Sequence, residues 1–166
     1  MKISLYNALV KPHYDYGSAI WANAISAKLK QKLVVAQKRI LRSIYLKTFD
    51  AHSEPLFERS NILKFGKLIQ LNVQVLGHSL WYNDAPVALT METSRSTTIQ
   101  NTRAKNNFDI PNLKNMKLRS LPAYNCLISW NTLSNVIKWI ALPKAFKLAI
   151  KVTQSLPTDS RQTNFH

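Results

Sequence analysis

The sequence predicts a mainly α-helical protein, a helical bundle followed by a flexible linker and a small helical appendage at the C-terminal end. Three observations lead to this fold class. The chain of 166 residues contains only three glycines, and 46% of its residues are hydrophobic. In the first half, apolar residues recur every three or four positions, as on one face of a helix, and strand-like alternation is rare. A polar stretch then separates this half from a second, shorter set of helical patterns.

Five helical segments are predicted in the first 82 residues. Pro12 is expected to end or kink the first of them, because proline lacks a backbone N–H and crowds the preceding turn. Ser26 is a candidate N-cap for the third segment. Ser53 opens the fourth, with Pro55 in the first turn, where the missing N–H costs nothing. The five segments cover residues 3–10, about 16–24, 27 to about 46, 53 onward, and about 64–82.

The second half begins with a change of composition after Asn83. The stretch TMETSRSTTIQNTRAKNN is polar and poor in apolar residues, which is typical of a linker or a loosely held loop. Helical patterns return at about Cys126–Ile140 and Lys144–Val152. The sequence therefore predicts a bundle at 1–82, a polar linker at 83–111, a small helical segment at 112–152 and a disordered tail at 153–166.

The charge balance restricts the classes of partner. The chain has 23 lysine and arginine residues against 8 aspartate and glutamate residues, a formal net charge of +15 with a pI near 10.2. A protein this basic favours a polyanionic partner, most often nucleic acid and less often an anionic membrane. Net charge indicates a binding surface only if the basic residues are gathered on one face of the protein.

The sequence predicts an intracellular protein, nuclear or cytoplasmic and not secreted. Cys126 is the only cysteine, so no intramolecular disulfide can form and nothing points to an oxidising compartment. Lys11, Pro12 and His13 interrupt the apolar N-terminal run before it resembles a signal peptide. No stretch approaches the ~20 apolar residues needed to span a bilayer, so no membrane partner is expected.

The segment from Lys28 to Lys47 carries seven basic residues and no acidic one. On a helical wheel one side of it is apolar and is predicted to face the core. That side consists of Leu29, Leu33, Ala36, Ile40 and Ile44, extended by Leu41, Val34 and Tyr45. The other side, about 180° to 300° from Leu29, gathers Lys28, Lys32, Lys38, Arg39 and Arg42. The positive charge is therefore predicted to lie on one surface.

Three interpretations of this basic surface remain open at the level of sequence. A row of lysines and arginines can neutralise several phosphates of a nucleic acid, and such binding weakens as salt increases. Contacts of this kind position a backbone without reading bases. The surface can instead be the solvated side of a basic protein, or it can lie on anionic lipid.

Candidate catalytic sites do not assemble in the sequence. The stretch His13-Tyr14-Asp15-Tyr16-Gly17 suggests an active site, because polymerase signatures place an aromatic residue before metal-binding aspartates. Two-metal chemistry needs converging carboxylates, however, and the paired aspartate is missing. The remaining carboxylates are dispersed along the chain, at positions 50, 54, 58, 84, 92, 109 and 159. The chain alone is not expected to be an enzyme.

Metal and thiol sites are not predicted either. The four histidines are far apart in sequence and far from Cys126, so no zinc-site spacing exists. Cys126 is expected to be a small buried residue rather than a nucleophile. No glycine-rich phosphate loop can be drawn from three scattered glycines. No cofactor and no metal are therefore expected.

Three motifs, in this order, resemble the region just after the catalytic palm of non-LTR (LINE-type, jockey-like) retrotransposon reverse transcriptases. They are LYNALVKPHYDYGSAIW, LVVAQKRILRSI and HSEPLFERSNIL. Downstream positions similar to the family's tail are Thr102-Arg103, Phe108, Ile110-Pro111, Arg119-Ser120, Trp130-Asn131 and Phe146-Lys147. Ser53 and Ser134 stand where the family more often has threonine and proline. The likeness runs from about Leu5 to Val152, and the sequence contains no palm motif with paired aspartates.

The resemblance implies that residues 1–82 form a thumb-like bundle and that the chain is a non-catalytic part of an RNA-directed DNA polymerase. The basic helix would then grip template–primer nucleic acid, with RNA or an RNA–DNA hybrid as partner and a polymerase palm as neighbouring domain. Arg103, Lys105 and Arg119 would add contacts from the tail. The alternative is a protein-interaction module whose helices dock a palm or another partner.

The resemblance also assigns structural roles. Tyr16, Gly17 and Trp21 are expected to form the hinge and anchor between the first two helices, with Pro12 enforcing the break. Asp15 is expected to cap the helix that follows. The full set of expected structural residues is Pro12, Tyr16, Gly17, Trp21, Pro55, Phe57 and Trp130.

Overall fold

The computed structural model of the chain describes residues 2–82, 106–110, 112, 114 and 121–155. These residues form helices joined by short turns, and no extended β-strand occurs among them. The predicted mainly α fold class is confirmed. None of the described helices is both long enough and apolar enough to cross a membrane.

The N-terminal helical run continues through Pro12 and ends at Asp15. It consists of α1 (Lys2–Leu5), a π-helical turn (Tyr6–Val10) and α2 (Lys11–Asp15). Of the two predicted effects of Pro12, an end to the helix or a kink in it, the first is wrong, because this proline lies in the first turn of α2, where its missing N–H removes no hydrogen bond. The chain breaks instead at Gly17, whose φ of 60° glycine adopts without steric cost. Helix α3 (Ser18–Trp21) follows.

Three helices complete the first half: α4 (Ala27–Ile44), α5 (Glu54–Ser60) and α6 (Phe65–Trp81). The predicted N-cap of α4 is confirmed, since the Ser26 hydroxyl accepts a hydrogen bond from the Leu29 N–H at 3.3 Å. Pro55 lies in the first turn of α5, as expected. Helix α5 ends at Asn61 with φ 51°, a left-handed C-terminal residue of the kind that asparagine tolerates.

The C-terminal half contains α7 (Pro122–Asn131), α8 (Asn135–Lys138) and α9 (Pro143–Ser155). The predicted continuous helix over Cys126–Ile140 is wrong. It is interrupted at Ser134, whose extended backbone (ψ 147°) starts α8 as its N-cap residue. The predicted tail also begins too early in the chain, because residues 153–155 belong to α9. The rest of that tail, 156–166, lies outside the described residues.

The largest hydrophobic cluster forms where α6 packs against α7 and α9. Aromatic rings dominate it: Trp130 stacks on Trp81 with centroids 5.4 Å apart and on Phe146 at 6.0 Å. His78 is buried in the same cluster, and its Nε2 donates to the Ile140 carbonyl at 2.9 Å. Aliphatic side chains fill the remaining space, among them Leu71, Val73, Leu80, Leu127 and Ile150.

Gly77 permits the close approach of α6 to α7. A Cβ atom at this position would lie 3.2 Å from the Cys126 carbonyl oxygen and 3.5 Å from the Trp130 Cβ. Gly66, in the same helix, has nothing within 4 Å of the equivalent point. The spacing of the two helices therefore depends on the absence of a side chain at Gly77.

Part of the predicted linker belongs to the core. Phe108 packs edge-on against Trp81, with centroids 4.9 Å apart, and its backbone N–H and carbonyl both bond the Asn131 side chain at 2.9 Å. The Trp130 indole N–H donates to the Asn106 carbonyl at 3.0 Å. The predicted boundaries therefore do not divide the core, because the helices expected as an appendage share it with α6. The linker positions 83–105 and 111 lie outside the described residues.

Two smaller clusters lie along α4. The first comprises Tyr14, Phe65 and Leu68, with the Tyr14 and Phe65 rings edge to face at 5.5 Å. The second joins Leu41 of α4 to Leu56 and Phe57 of α5. These clusters determine which side of α4 faces inward.

Candidate nucleic-acid interface

The inward side of α4 differs from the predicted one by a rotation of about 80° on the helical wheel. Its buried residues are Gln37 and Leu41, whereas Leu29, in the middle of the predicted apolar stripe, is 44% exposed. Leu41 belongs to the predicted extension of the apolar stripe, but the prediction considered only apolar residues for the packed side and so did not include Gln37. A polar side chain can occupy a core position when all its hydrogen bonds are satisfied.

Gln37 meets that condition at 1% exposure. Its amide nitrogen donates to the Tyr6 hydroxyl and to the Leu63 carbonyl, both at 3.0 Å. Its amide oxygen accepts from the Phe65 N–H at 2.8 Å, which is one of the donors at the start of α6 that have no partner within the helix. This single side chain ties α4 to the N-terminal helices and to α6, and so fixes the rotation of α4.

Three of the predicted cations consequently face solvent. Lys28, Lys32 and Arg39 are all exposed, and none of them forms an ion pair with a residue that the structure describes. From Lys28 to Arg39 the helix rises about 16 Å, the axial length over which one nucleic-acid strand carries about five phosphates. The ion pairs of the described residues lie elsewhere, at Lys11–Asp15 and Lys64–Glu54.

A shallow groove of about 680 Å³ runs along this exposed side of α4. Lys32 and Arg39 stand at its edge. Half-buried apolar side chains form its floor, contributed by Val35, Ala36 and Ile40. The groove thus offers cations beside a non-polar surface, an arrangement suited to a phosphate backbone and its sugars.

The other two predicted cations of this helix are only partly available. Lys38 and Arg42 are half-buried, because the rotation of α4 brings them to the edge of the packed side. The Arg42 Nε donates to the Ala51 carbonyl at 2.7 Å, so this guanidinium holds the loop after α4. Arg42 therefore has a structural role that the sequence did not predict.

An exposed aromatic side chain stands beside the two arginines. Phe49, in the loop after α4, is 71% exposed. Its ring centroid lies 5.3 Å from the guanidinium carbon of Arg39 and 5.8 Å from that of Arg42, within the range of cation–π attraction. Sequence reasoning missed this residue, although an aromatic residue directly after a basic helix was a usable signal.

One acidic residue accompanies this cluster. A hydrogen bond from the Thr48 side chain, another from the backbone N–H of Asp50 itself, and the nearby Arg42 lower the pKa of the Asp50 carboxyl. Asp50 is therefore ionised at neutral pH and offsets part of the positive charge of Arg42, which leaves Arg39 as the dominant cation beside Phe49.

The other residues predicted from the sequence are candidate nucleic-acid contacts in the tail and residues with an expected structural role. Arg103, Lys105 and Arg119 lie outside the described residues. Of the expected structural residues, Phe57 and Trp130 are buried and Pro55 is exposed.

The turn before α3 differs in part from its predicted role. The Trp21 indole N–H donates to the Tyr16 carbonyl at 2.8 Å, and its ring stacks on Phe65 at 6.3 Å, so Trp21 does close the turn at Gly17. The prediction that Asp15 caps the next helix is wrong, because Gly17 occupies the N-cap position and no side chain caps α3. The Asp15 carboxylate instead pairs with Lys11 and accepts a bond from the Asn72 amide at 3.3 Å.

The described residues contain no assembled metal or thiol chemistry. No group of three or more histidine, cysteine, aspartate or glutamate side chains among them could hold a metal ion. Cys126 is buried, as predicted, and burial raises the pKa of its thiol to about 12. A thiol with that pKa is protonated at neutral pH and is a poor nucleophile.

A second concave surface, of about 550 Å³, lies between the N-terminal helices, the turn before α6 and α9. Lysines 144, 147 and 151 of α9 line it, together with the ion pair of Lys11 and Asp15. Three lysines at helical spacing with no acidic residue between them were a sequence signal that the prediction did not use. This surface adds a second basic region to the one on α4.

Comparisons of the chain with models of protein families, with curated proteins and with solved structures find no match.

Proposed function

We propose that this protein is a non-catalytic, nucleic-acid-binding helical unit, corresponding to the thumb and post-thumb region of a non-LTR retrotransposon reverse transcriptase. The sequence motifs suggest the parent enzyme. The observation that carries the binding proposal is the exposed row of Lys28, Lys32 and Arg39, unpaired with any described acidic residue, along one side of α4. The partner is RNA or an RNA–DNA hybrid, held by its backbone.

The magnitude of the effect follows from counterion release. Each phosphate neutralised by a cation adds about 0.9 to the slope of log K against log salt, so removing two cations lowers this slope by about 1.8. At about 0.1 M salt that change weakens binding by about 60-fold. The contacts position the duplex without reading its sequence. A polymerase needs binding of this kind, because every part of the template passes through it in turn.

The experiment measures binding of an RNA–DNA hybrid to the full chain at several salt concentrations. The test variant is Lys32→Ala/Arg39→Ala, which removes two exposed charges from α4. The matched control is Arg59→Ala/Lys64→Ala, which removes two exposed charges that line neither concave surface and gives the same net charge. We expect the salt slope to fall in the α4 variant and to remain near the wild-type value in the control.

Equal slopes in wild type and the α4 variant would exclude α4 as the binding surface. Equal losses in both variants would indicate that only net charge matters. Nucleotide incorporation by the purified chain on a primed template would contradict the proposed lack of polymerase activity.

A second candidate function, docking of a polymerase palm or another protein, is favoured by one apolar surface patch. Val136, Trp139 and Leu142 are 80%, 70% and 71% exposed and follow one another around α8 and the turn before α9. Exposed apolar side chains gathered in this way mark protein-contact surfaces. Trp139→Ser/Leu142→Ser would abolish capture of a co-expressed palm domain if this patch docks it, and would leave capture unchanged if it does not.

A further inference from the structure

The loop after α4 presents Phe49 to solvent in a fixed position. The Lys47 N–H donates to the Arg42 carbonyl at 2.9 Å, and the Arg42 Nε bond to Ala51 closes the other end of the loop. The Ala51 N–H donates to the Thr48 carbonyl at 3.2 Å. Phe49 therefore lies on an ordered turn rather than on a free end.

The turn also contains an unfavourable backbone conformation. Leu46 has φ 52°, in the left-handed region that residues with a Cβ atom seldom occupy outside asparagine and aspartate. The Leu46 N–H donates to the Ser43 carbonyl at 3.2 Å, and with the Lys47 bond to Arg42 this forms the capping motif in which a left-handed residue ends a helix. Here the left-handed residue reverses the chain at the end of α4, which brings Phe49 back over Arg39.

We propose that Phe49 is a stacking platform for one unpaired base of the nucleic acid whose backbone lies along α4. Proteins that bind single strands combine a positively charged groove with aromatic side chains on which bases stack. Both parts are present within 5.3 Å of each other, the distance from the Arg39 guanidinium carbon to the Phe49 centroid. The inference rests on the proposed nucleic-acid binding. It adds that an unpaired base of the ligand binds at Phe49, beside the C-terminal half of α4.

The ligand at Phe49 is an unpaired nucleotide, because a base inside a duplex already stacks on its neighbours on both faces. Apart from the last base pair at a duplex end, only a strand extension, a bulge or a loop offers a free face. Phe49 carries no hydrogen-bonding group in its side chain, so the contact does not depend on base identity. The charged row on α4 and Phe49 would thus meet a junction between a duplex and a single strand.

The experiment compares two probes on the full chain. One is a blunt RNA–DNA hybrid, and the other is the same hybrid with a single-stranded extension of about four nucleotides that carries 2-aminopurine. Stacking on an aromatic ring quenches the fluorescence of this base analogue. We expect Phe49→Ala to weaken binding of the extended probe by about tenfold, to abolish the quenching, and to leave the blunt probe unchanged.

Three further variants separate stacking from other effects. Phe49→Trp should restore both affinity and quenching, whereas Phe49→Leu, which keeps apolar volume without an aromatic ring, should not. Leu5→Ala is the matched control, since it also removes an exposed apolar side chain, and Leu5, which is 60% exposed, lies outside this loop. Far-UV circular dichroism of each variant checks that the helices are intact.

The results of the two proposals are distinguishable. If Phe49→Ala binds the extended probe like wild type, the stacking inference is overturned whatever the charge variants do. If Lys32→Ala/Arg39→Ala leaves both probes unaffected, the proposed function fails. Loss on the blunt probe in Phe49→Ala would show a contact to the duplex, which also contradicts stacking of an unpaired base.

Discussion

The two glycines of α6 offer a matched test of the α6–α7 contact. Gly66→Ala and Gly77→Ala both replace glycine by alanine within the same helix, and alanine is the better helix former by up to about 1 kcal/mol. They differ in surroundings: the added Cβ has nothing within 4 Å at Gly66, but lies 3.2 Å from the Cys126 carbonyl oxygen at Gly77.

The expected changes in the free energy of unfolding follow from these distances. Gly66→Ala should raise it by about 0.5–1 kcal/mol, through helix propensity and a less flexible unfolded chain. At Gly77 the backbone of α7 must move away by a few tenths of an ångström, and overpacking of this kind costs about 1–3 kcal/mol. Gly77→Ala should therefore be about 1–3 kcal/mol less stable than Gly66→Ala.

Urea unfolding followed by far-UV circular dichroism measures both variants under one set of conditions. For a chain of this size each kcal/mol corresponds to a shift in melting temperature of about 2–4 °C. Equal stabilisation by the two substitutions would refute the close approach of α6 to α7, since the propensity gain is common to both. A change in the m-value would signal an altered unfolded or native state rather than a local contact.

Three more substitutions test the interior. Gln37→Leu should lower the free energy of unfolding by about 2–4 kcal/mol in a urea titration, because it leaves several buried groups without a hydrogen-bond partner. A loss below about 0.5 kcal/mol would contradict the hydrogen bonds described for Gln37. Trp21→Ala should cost about 2–3 kcal/mol, while Asp15→Asn should cost less than half of that; the reverse order would contradict the role of Trp21 at the turn. For Cys126, the pKa of about 12 against 9.0 for a free thiol means that the unfolded chain releases its proton first. The free energy of unfolding should therefore fall as pH rises from 9, by up to about 1.4 kcal/mol per pH unit. Urea titrations at about pH 8 and 10.5 should show a smaller fall in Cys126→Ala than in the wild type. An equal fall in both proteins would mean that the Cys126 thiol is exposed to water.

The sequence predicted the elements that local chemistry determines. The cap at Ser26, the proline in the first turn of α5 and the long helix that became α6 depend on residues close together in the chain. The end of the first helix was misplaced because Pro12 was expected to break it, whereas Pro12 lies in the first turn of α2 and the chain breaks at Gly17.

Features set by distant residues could not be predicted in the same way. The rotation of α4 depends on hydrogen bonds between Gln37 and residues 26 to 31 positions away. The burial of Phe108 depends on Asn131, 23 positions later. As a result, the exposure of Lys28, Lys32 and Arg39 could be predicted from the helical wheel, whereas the places of Arg42 and Phe49 depend on the folded chain.

The four tryptophans of this chain lie in three different surroundings. Trp130 and Trp81 are stacked at an interplanar angle of 23° in the largest cluster, and such fixed packing produces the near-UV circular dichroism that is lost when tertiary structure loosens. Trp21 lies in a smaller cluster around Phe65, and Trp139 is exposed to solvent. Single-tryptophan variants would therefore show whether the first three helices and the C-terminal helices unfold at the same denaturant concentration, as a single cooperative unit must.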